Sequence, residues 1–172
     1  MKTIFLCLLS YGILFFFVGI LNHWLTPLSL SVFIGGVAIV YPSLETHYRK
    51  GVPIVLITGL FFDAASPFEF GTMTLAFLAV YFLLRGLRRR LRGQENQYHM
   101  VAAFMANLVL FLLISVLAAD WRLGEIFYWK RVGVDLLLSQ IILIPCAWWL
   151  FSFLRFLFLQ FGVDRRFGTD RR

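Results

Sequence analysis

Six apolar runs without a charged residue restrict what this chain can fold into more than any other feature. The first of them, residues 4–21, has 18 residues, close to the roughly 20 that carry a helix across the hydrocarbon core of a bilayer. Of the 172 residues, 60% are hydrophobic, and a soluble domain of this size has too little interior to bury them. The sequence therefore predicts an all-α integral membrane protein.

The runs predict a single domain over residues 1–172, arranged as a bundle of six transmembrane helices. The third run, residues 51–62, is the weakest, because its 12 residues span only about 18 Å as helix. Either this helix extends back to residue 46, with Arg49 and Lys50 reaching the interface, or the segment is re-entrant. An aromatic-rich, solvent-facing link over residues 120–131 is expected before the last helix. With the first alternative, the predicted helices are residues 4–21, 27–44, 46–62, 67–84, 100–119 and 134–155.

The distribution of basic residues favours the first alternative and orients the bundle. With six crossings, 13 of the 16 Lys and Arg residues lie on the side of the two termini, and three lie on the other side. Because cytoplasmic segments are enriched in Lys and Arg, both termini and the basic tail, residues 162–172, are predicted in the cytoplasm. If the third segment were re-entrant, the arginine cluster that follows the fourth helix would lie outside the cell.

That arginine cluster, which consists of Arg85, Arg88, Arg89, Arg90 and Arg92, has two interpretations. It is a topology anchor at the end of the fourth helix, or it binds anionic lipid head groups or an acidic partner in the cytoplasm. A net charge of +7 could indicate nucleic-acid binding in a soluble protein, but no folded basic module accompanies the cluster here. Membrane lipids, and not nucleic acid, are therefore the expected partners of this charge.

A polar hairpin joins the third and fourth runs and contains the most distinctive residues of the chain. Ser66 and Glu69 match a capping box with Pro67 at the first helical position, which predicts that the fourth helix starts here. Asp63 lies three residues upstream, where the third helix is expected to end on the outer side. The residues of this hairpin either only shape the turn or also form a docking surface for a partner. These candidate residues are Gly59, Asp63, Ser66, Pro67, Glu69 and Gly71.

Catalysis is not indicated, and no catalytic residue, cofactor or metal site is predicted. The three histidines lie near predicted helix ends, with no nucleophile placed to pair with them inside the bundle. The two cysteines fall within apolar runs, where cysteine usually acts as a small hydrophobic residue. The deepest polar side chains either line a small-molecule pocket or form hydrogen bonds between helices. They are Asn107, Ser115, Ser139 and Gln140.

The hairpin also carries a resemblance to a known family. Gly59, Asp63 four residues later and Gly71 eight residues after that precede a helix rich in leucine and alanine. This pattern resembles the bacterial rod-shape-determining membrane protein family MreD, and the layout of helices and basic patch fits over essentially the whole chain. Glu69 is a departure that adds a charge to the turn. The family's fold is similar to that of the substrate-binding subunits of energy-coupling-factor vitamin transporters.

The resemblance implies a non-enzymatic scaffold or regulatory subunit of the cell-wall elongation complex in the bacterial inner membrane. It implies MreC as the direct partner, with RodA, a class B penicillin-binding transpeptidase and the MreB filament in the same complex. The alternative function is that of a solute-binding subunit of an energy-coupling-factor vitamin transporter. Such subunits carry an alanine-x-x-x-alanine surface on the first helix, and residues 4–21 contain no alanine, which counts against the transporter.

Overall fold

The computed structural model describes residues 2–87, 97–119 and 126–161, which form helices and their connections without any strand. The basic tail, residues 162–172, and four arginines of the predicted cluster lie outside the described residues; these four are Arg88, Arg89, Arg90 and Arg92. The helices are α1 (Lys2–Leu25), a short 3₁₀-helix (Thr26–Leu28), α2 (Gly35–Leu44), α3 (Tyr48–Ala65), α4 (Thr72–Leu87), α5 (Gln97–Ala119) and α6 (Ile126–Gln160).

Three of the described helices are long and apolar enough to cross a membrane, namely α1 with its 3₁₀ extension, α5 and α6. With 35 residues, α6 is about 52 Å long, which exceeds the roughly 30 Å of a bilayer's hydrocarbon core. The helices α2 and α4 are shorter and also apolar. This set of apolar helices has the character of a helical membrane protein, in agreement with the composition.

The predicted second helix, residues 27–44, is wrong over its first half. After the 3₁₀ turn the chain is non-helical over residues 30–34, and α2 begins only at Gly35. Ser29 has a φ of 55°, in the left-handed region, and ends the 3₁₀ turn. The non-helical segment (residues 30–34) persists because side chains of three neighbouring helices take the hydrogen bonds that a helix would make within itself.

The last helix is longer than the predicted 134–155. It begins at Ile126, so that residues 126–131, the second half of the predicted link, are helical. The hydroxyl of Tyr128 donates a hydrogen bond of 2.7 Å to the backbone carbonyl of Ser115 in α5. This bond attaches the first turn of α6 to the end of α5, a tertiary contact that the polar composition of the stretch does not reveal.

The centre of the bundle is occupied by α2. All ten of its residues are buried, and it packs against α3, α4, α5 and α6. The first helix, α1, packs against α3 and α6. A Cβ atom added to Gly36 would lie 2.3 Å from the backbone nitrogen of Asn107 in α5. The two helices therefore meet at this point through their main chains.

Candidate functional site

The candidate site at the hairpin is organised by the carboxylate of Asp63, which lies in the last turn of α3 and reaches the first turn of α4. Its Oδ1 accepts a hydrogen bond of 2.7 Å from the backbone N–H of Met73. Its Oδ2 accepts one of 3.0 Å from the backbone N–H of Thr74 and another from the Thr74 hydroxyl. Asp63 therefore caps α4 from the preceding helix.

Within residues 2–87, 97–119 and 126–161, no basic side chain forms an ion pair with Asp63, and hydrogen bonds stabilise its charge instead. The residue is only 3% exposed, and a buried carboxylate is unfavourable unless it is paired or hydrogen bonded. Another acidic side chain, Glu45, instead contacts a basic residue, with 2.7 Å between its Oε1 and Nε2 of His99. Three donors and the positive end of the α4 dipole take the place of a cation. The carboxylate thus holds α3 and α4 in a fixed relation.

The two flanking glycines meet different requirements of the same turn. A Cβ atom at Gly59 in α3 would lie 2.7 Å from the Cα of Thr74, so glycine permits the close approach of α4. Gly71 has open space around it but a φ of 102°, a conformation that residues with a side chain rarely adopt. Each residue of the pattern therefore has its own role: Gly59 permits the close approach of α4, Asp63 caps α4, and Gly71 forms the turn.

The predicted capping box is wrong, and so is the start of the fourth helix at residue 67. Ser66 ends α3, because its N–H and its hydroxyl both donate to the carbonyl of Asp63, at 3.2 and 3.3 Å. Pro67 and Glu69 lie in the connection, and α4 begins at Thr72. Asp63 takes the capping role because its side chain satisfies two backbone N–H groups of α4.

The hairpin has a buried part and an exposed part. Gly59 and Asp63 are buried, whereas Pro67, Glu69 and Phe70 are exposed, Phe70 to 77%. The buried carboxylate is not accessible to a partner. A docking surface at this end of the bundle would consist of the exposed residues, in the shape that the buried ones impose.

A second polar cluster surrounds the non-helical segment. Asn22 of α1 pairs with both backbone groups of Val32, donating to the carbonyl at 2.9 Å and accepting from the N–H at 2.7 Å. Asn107 of α5 donates to the carbonyl of Phe33 at 2.9 Å. It also accepts a hydrogen bond of 3.2 Å from the backbone N–H of Gly36 in the first turn of α2. These two amides bridge the segment to α1 and α5.

The cluster is completed by two side chains of α6. The carboxylate of Asp135 accepts hydrogen bonds from the N–H and the hydroxyl of Ser31, at 3.2 and 3.1 Å. The hydroxyl of Ser139 accepts one of 3.0 Å from the N–H of Phe33. Non-helical backbone at membrane depth is tolerated only where the protein satisfies it. Side chains of three helices meet that requirement here.

Two members of this cluster are among the deep polar residues singled out in the sequence, and two are not. Asn107 and Ser139 form hydrogen bonds between elements, one of the two roles left open for them. The sequence does not single out Asn22 and Asp135, because both lie near predicted helix ends, where polar residues are common. Their role becomes recognisable only once the second helix is known to be interrupted.

Of the remaining deep polar residues, Gln140 joins two helices through its side chain, whereas Ser115 does so through its backbone carbonyl. The carbonyl of Ser115 accepts from Tyr128. The side-chain nitrogen of Gln140 in α6 donates to the carbonyl of Phe104 in α5, at 3.4 Å. Both bonds connect α5 to α6.

Arg85 is the one member of the predicted arginine cluster within the described residues. It lies in the last turn of α4, and its Nη1 donates to the carbonyl of Thr46 at 3.3 Å and to the hydroxyl of Tyr81 at 3.1 Å. The guanidinium group is therefore fixed against the connection between α2 and α3. Among the described residues, no group of three or more His, Cys, Asp or Glu side chains could hold a metal ion.

Comparisons of the chain with family models, curated proteins and solved structures found no match. The fold assembles two polar clusters, one at the Asp63 hairpin and one around the non-helical segment. Of these, the Asp63 hairpin has an exposed part, whereas the polar side chains around the non-helical segment form hydrogen bonds with its backbone.

Proposed function

We propose that this chain is a non-enzymatic scaffold of the bacterial cell-wall elongation complex, acting with MreC in positioning peptidoglycan synthesis. The observation that carries the proposal is the hairpin, in which Gly59, Asp63 and Gly71 hold one turn in a fixed shape. The same three positions carry the resemblance to the MreD family. A turn ordered before binding loses less conformational entropy when a partner docks, which suits a scaffold.

We further propose that the bundle crosses the inner membrane six times. The 10 residues of α2 span only about 15 Å as helix. The five residues of the non-helical segment add up to roughly 16 Å when extended, and together they match a hydrocarbon core of about 30 Å. The 18 residues of α3 and the 16 of α4 span about 27 and 24 Å, so that their flanking residues reach the interface.

The proposed orientation places the Asp63 hairpin outside and the start of α3 in the cytoplasm. A chain with Cys7 and Cys146 changed to alanine receives a single exposed cysteine, through Glu69→Cys or Lys50→Cys. In spheroplasts, a membrane-impermeant maleimide is expected to label the first variant directly and the second only after permeabilisation. The opposite pattern would contradict the orientation, and labelling of both in intact spheroplasts would contradict a crossing by α3.

The proposed function predicts which proteins accompany this chain when it is purified from native membranes in a mild detergent. Mass spectrometry is expected to find MreC and wall-synthesis enzymes enriched over an untagged control. Phe70→Ser removes the most exposed aromatic residue of the hairpin and is expected to lower the recovery of MreC about tenfold, as for an aromatic anchor at an interface.

Phe127→Ser is the matched control for this experiment. Phe127 is 80% exposed, comparable to Phe70, but it lies in the first turn of α6. Equal recovery of MreC with the parent chain and both variants would show that Phe70 is not part of the interface. Loss of MreC with Phe127→Ser alone would place the interface at α6. Failure to enrich any component of the elongation complex would contradict the proposed function.

The alternative function, that of a solute-binding transporter subunit, has one observation in its favour. Interrupted helices are typical of transporter binding sites, where the free backbone groups contact the solute. In this bundle Asn22, Asn107, Asp135 and Ser139 already bond to that backbone, which leaves fewer polar groups for a solute. Recovery of an ATP-driven coupling module or a bound vitamin in the same purification would favour the transporter.

A further inference from the structure

Basic residues of two neighbouring helices lie at the end of the bundle opposite the Asp63 hairpin. Arg85 lies in the last turn of α4, and Arg49 and Lys50 lie in the first turn of α3. These positions are more than 30 residues apart in the sequence, and the antiparallel packing of α3 and α4 brings them to one corner.

The side chain of Arg85 is held at this corner by four groups. Its Nη1 donates to the carbonyl of Thr46 and the hydroxyl of Tyr81. Its guanidinium carbon lies 5.6 Å from the ring centroid of Tyr48 and 5.9 Å from that of Tyr81, within the range of a cation–π interaction. Tyr48 is the first residue of α3, so the guanidinium lies beside the start of that helix.

A glycine makes this arrangement possible. A Cβ atom at Gly51, in the first turn of α3, would lie 2.7 Å from the hydroxyl oxygen of Tyr81 and 2.8 Å from the side-chain oxygen of Thr46. Those two residues are also the ones that bond to Arg85. The close approach at the start of α3 and the position of the guanidinium therefore involve the same two residues.

Among the residues that the structure describes, this corner has three basic side chains at or near the surface. Arg49 and Lys50 are exposed, and Arg85 is half-buried. Glu45, the acidic residue of the α2–α3 connection, already contacts Nε2 of His99 in α5, at 2.7 Å. The start of α3 adds the partial positive charge of a helix N-terminus.

We propose that Arg85, Arg49 and Lys50 form a binding site for the phosphate of an anionic phospholipid head group. The guanidinium is oriented before binding, and the two exposed cations complete a site of three charges at one helix start. Arginine and lysine near a membrane surface attract anionic lipids, and arginine recognises phosphate through hydrogen bonds as well as charge. The half-exposed ring of Tyr48, amphipathic like other interfacial aromatic residues, places this corner at head-group depth.

The site is tested with full-length protein in phosphatidylcholine nanodiscs that contain increasing fractions of phosphatidylglycerol, with retained lipid counted by native mass spectrometry. The double variant Arg49→Gln/Lys50→Gln changes two exposed side chains and is expected to weaken phosphatidylglycerol retention at least tenfold, since each charge contributes roughly fivefold. Arg85→Gln is expected to weaken phosphatidylglycerol retention by more than the roughly fivefold that one charge contributes.

The matched control is Lys130→Gln/Arg131→Gln, which removes two exposed basic residues of α6 at the other end of the bundle. It is expected to leave this retention unchanged. Equal retention by the two double variants would overturn the proposal, and this comparison holds even where Arg85→Gln fails to fold. Inorganic phosphate at millimolar concentration is expected not to displace the lipid; its displacement would assign the site to a free anion and overturn the lipid assignment.

Discussion

Gly36→Ala is expected to lower the free energy of unfolding by about 3 kcal/mol, the upper end of the usual cost of overpacking a core. The added methyl carbon would lie 2.3 Å from the backbone nitrogen and 2.5 Å from the Cα of Asn107. Backbone atoms have no rotamer through which to move away, so α2 and α5 must separate. Separation also breaks the hydrogen bond from the N–H of Gly36 to the Asn107 side chain.

The measurement is a denaturant titration in detergent micelles followed by tryptophan fluorescence, since the chain has five tryptophans. Gly12→Ala is the matched control, because a Cβ atom at Gly12 meets no other atom within 4 Å. Alanine in a helix interior is favoured over glycine by roughly 0.5–1 kcal/mol, so this variant is expected to be at least as stable as the parent. Equal stability of the two variants would contradict the main-chain contact between α2 and α5.

The all-helical architecture could be predicted from the sequence because it depends on composition over long stretches. An uncharged apolar run of 15 residues or more leaves the backbone few alternatives to a helix in a membrane. The boundaries of α1, α3 and α5 (Lys2–Leu25, Tyr48–Ala65 and Gln97–Ala119) lie within a few residues of the predicted ones. The position of such ends follows from where polar residues begin.

The interruption of the second helix could not be predicted in this way. The stretch before Gly35 is as apolar as the helices around it, so periodicity and composition both favour a continuous helix. The deciding groups are Asn22, Asn107 and Ser139, which are separated from the segment by as many as 106 residues. Tertiary hydrogen bonds have overridden a local preference that was only weak.

The hairpin was mispredicted for a related reason. Ser66 and Glu69 form a valid capping pattern in the local sequence, and nothing within those residues indicates that the helix starts later. Asp63 lies across the turn, 10 residues before Met73, and caps α4 through space. The glycine spacing was informative because a positive φ at Gly71 restricts the residue type directly.

Asp63→Ala is expected to lower the free energy of unfolding by about 2–4 kcal/mol. The change leaves the N–H groups of Met73 and Thr74 and the Thr74 hydroxyl without the acceptor they have in the native protein. Hydrogen bonds to a charged group contribute roughly 1.5–3 kcal/mol each, and loss of an N-cap costs about 0.5–2 kcal/mol. Water that reaches the turn from the membrane interface replaces part of the lost hydrogen bonding, so the expected loss is smaller than the sum over the three bonds.

Two further variants separate the cap from the charge of the hairpin. Asp63→Asn keeps one acceptor oxygen and places an amide NH₂ against the remaining donor, so it is expected to recover at most half of the lost stability. Glu69→Ala removes an exposed carboxylate in the same turn and is expected to change stability by less than about 0.5 kcal/mol. If Asp63→Ala were as stable as Glu69→Ala in the same titration, the capping role of Asp63 would be wrong. If Asp63→Ala unfolded more easily yet recovered MreC in full, the hairpin would be structural and the docking surface would lie elsewhere on the bundle.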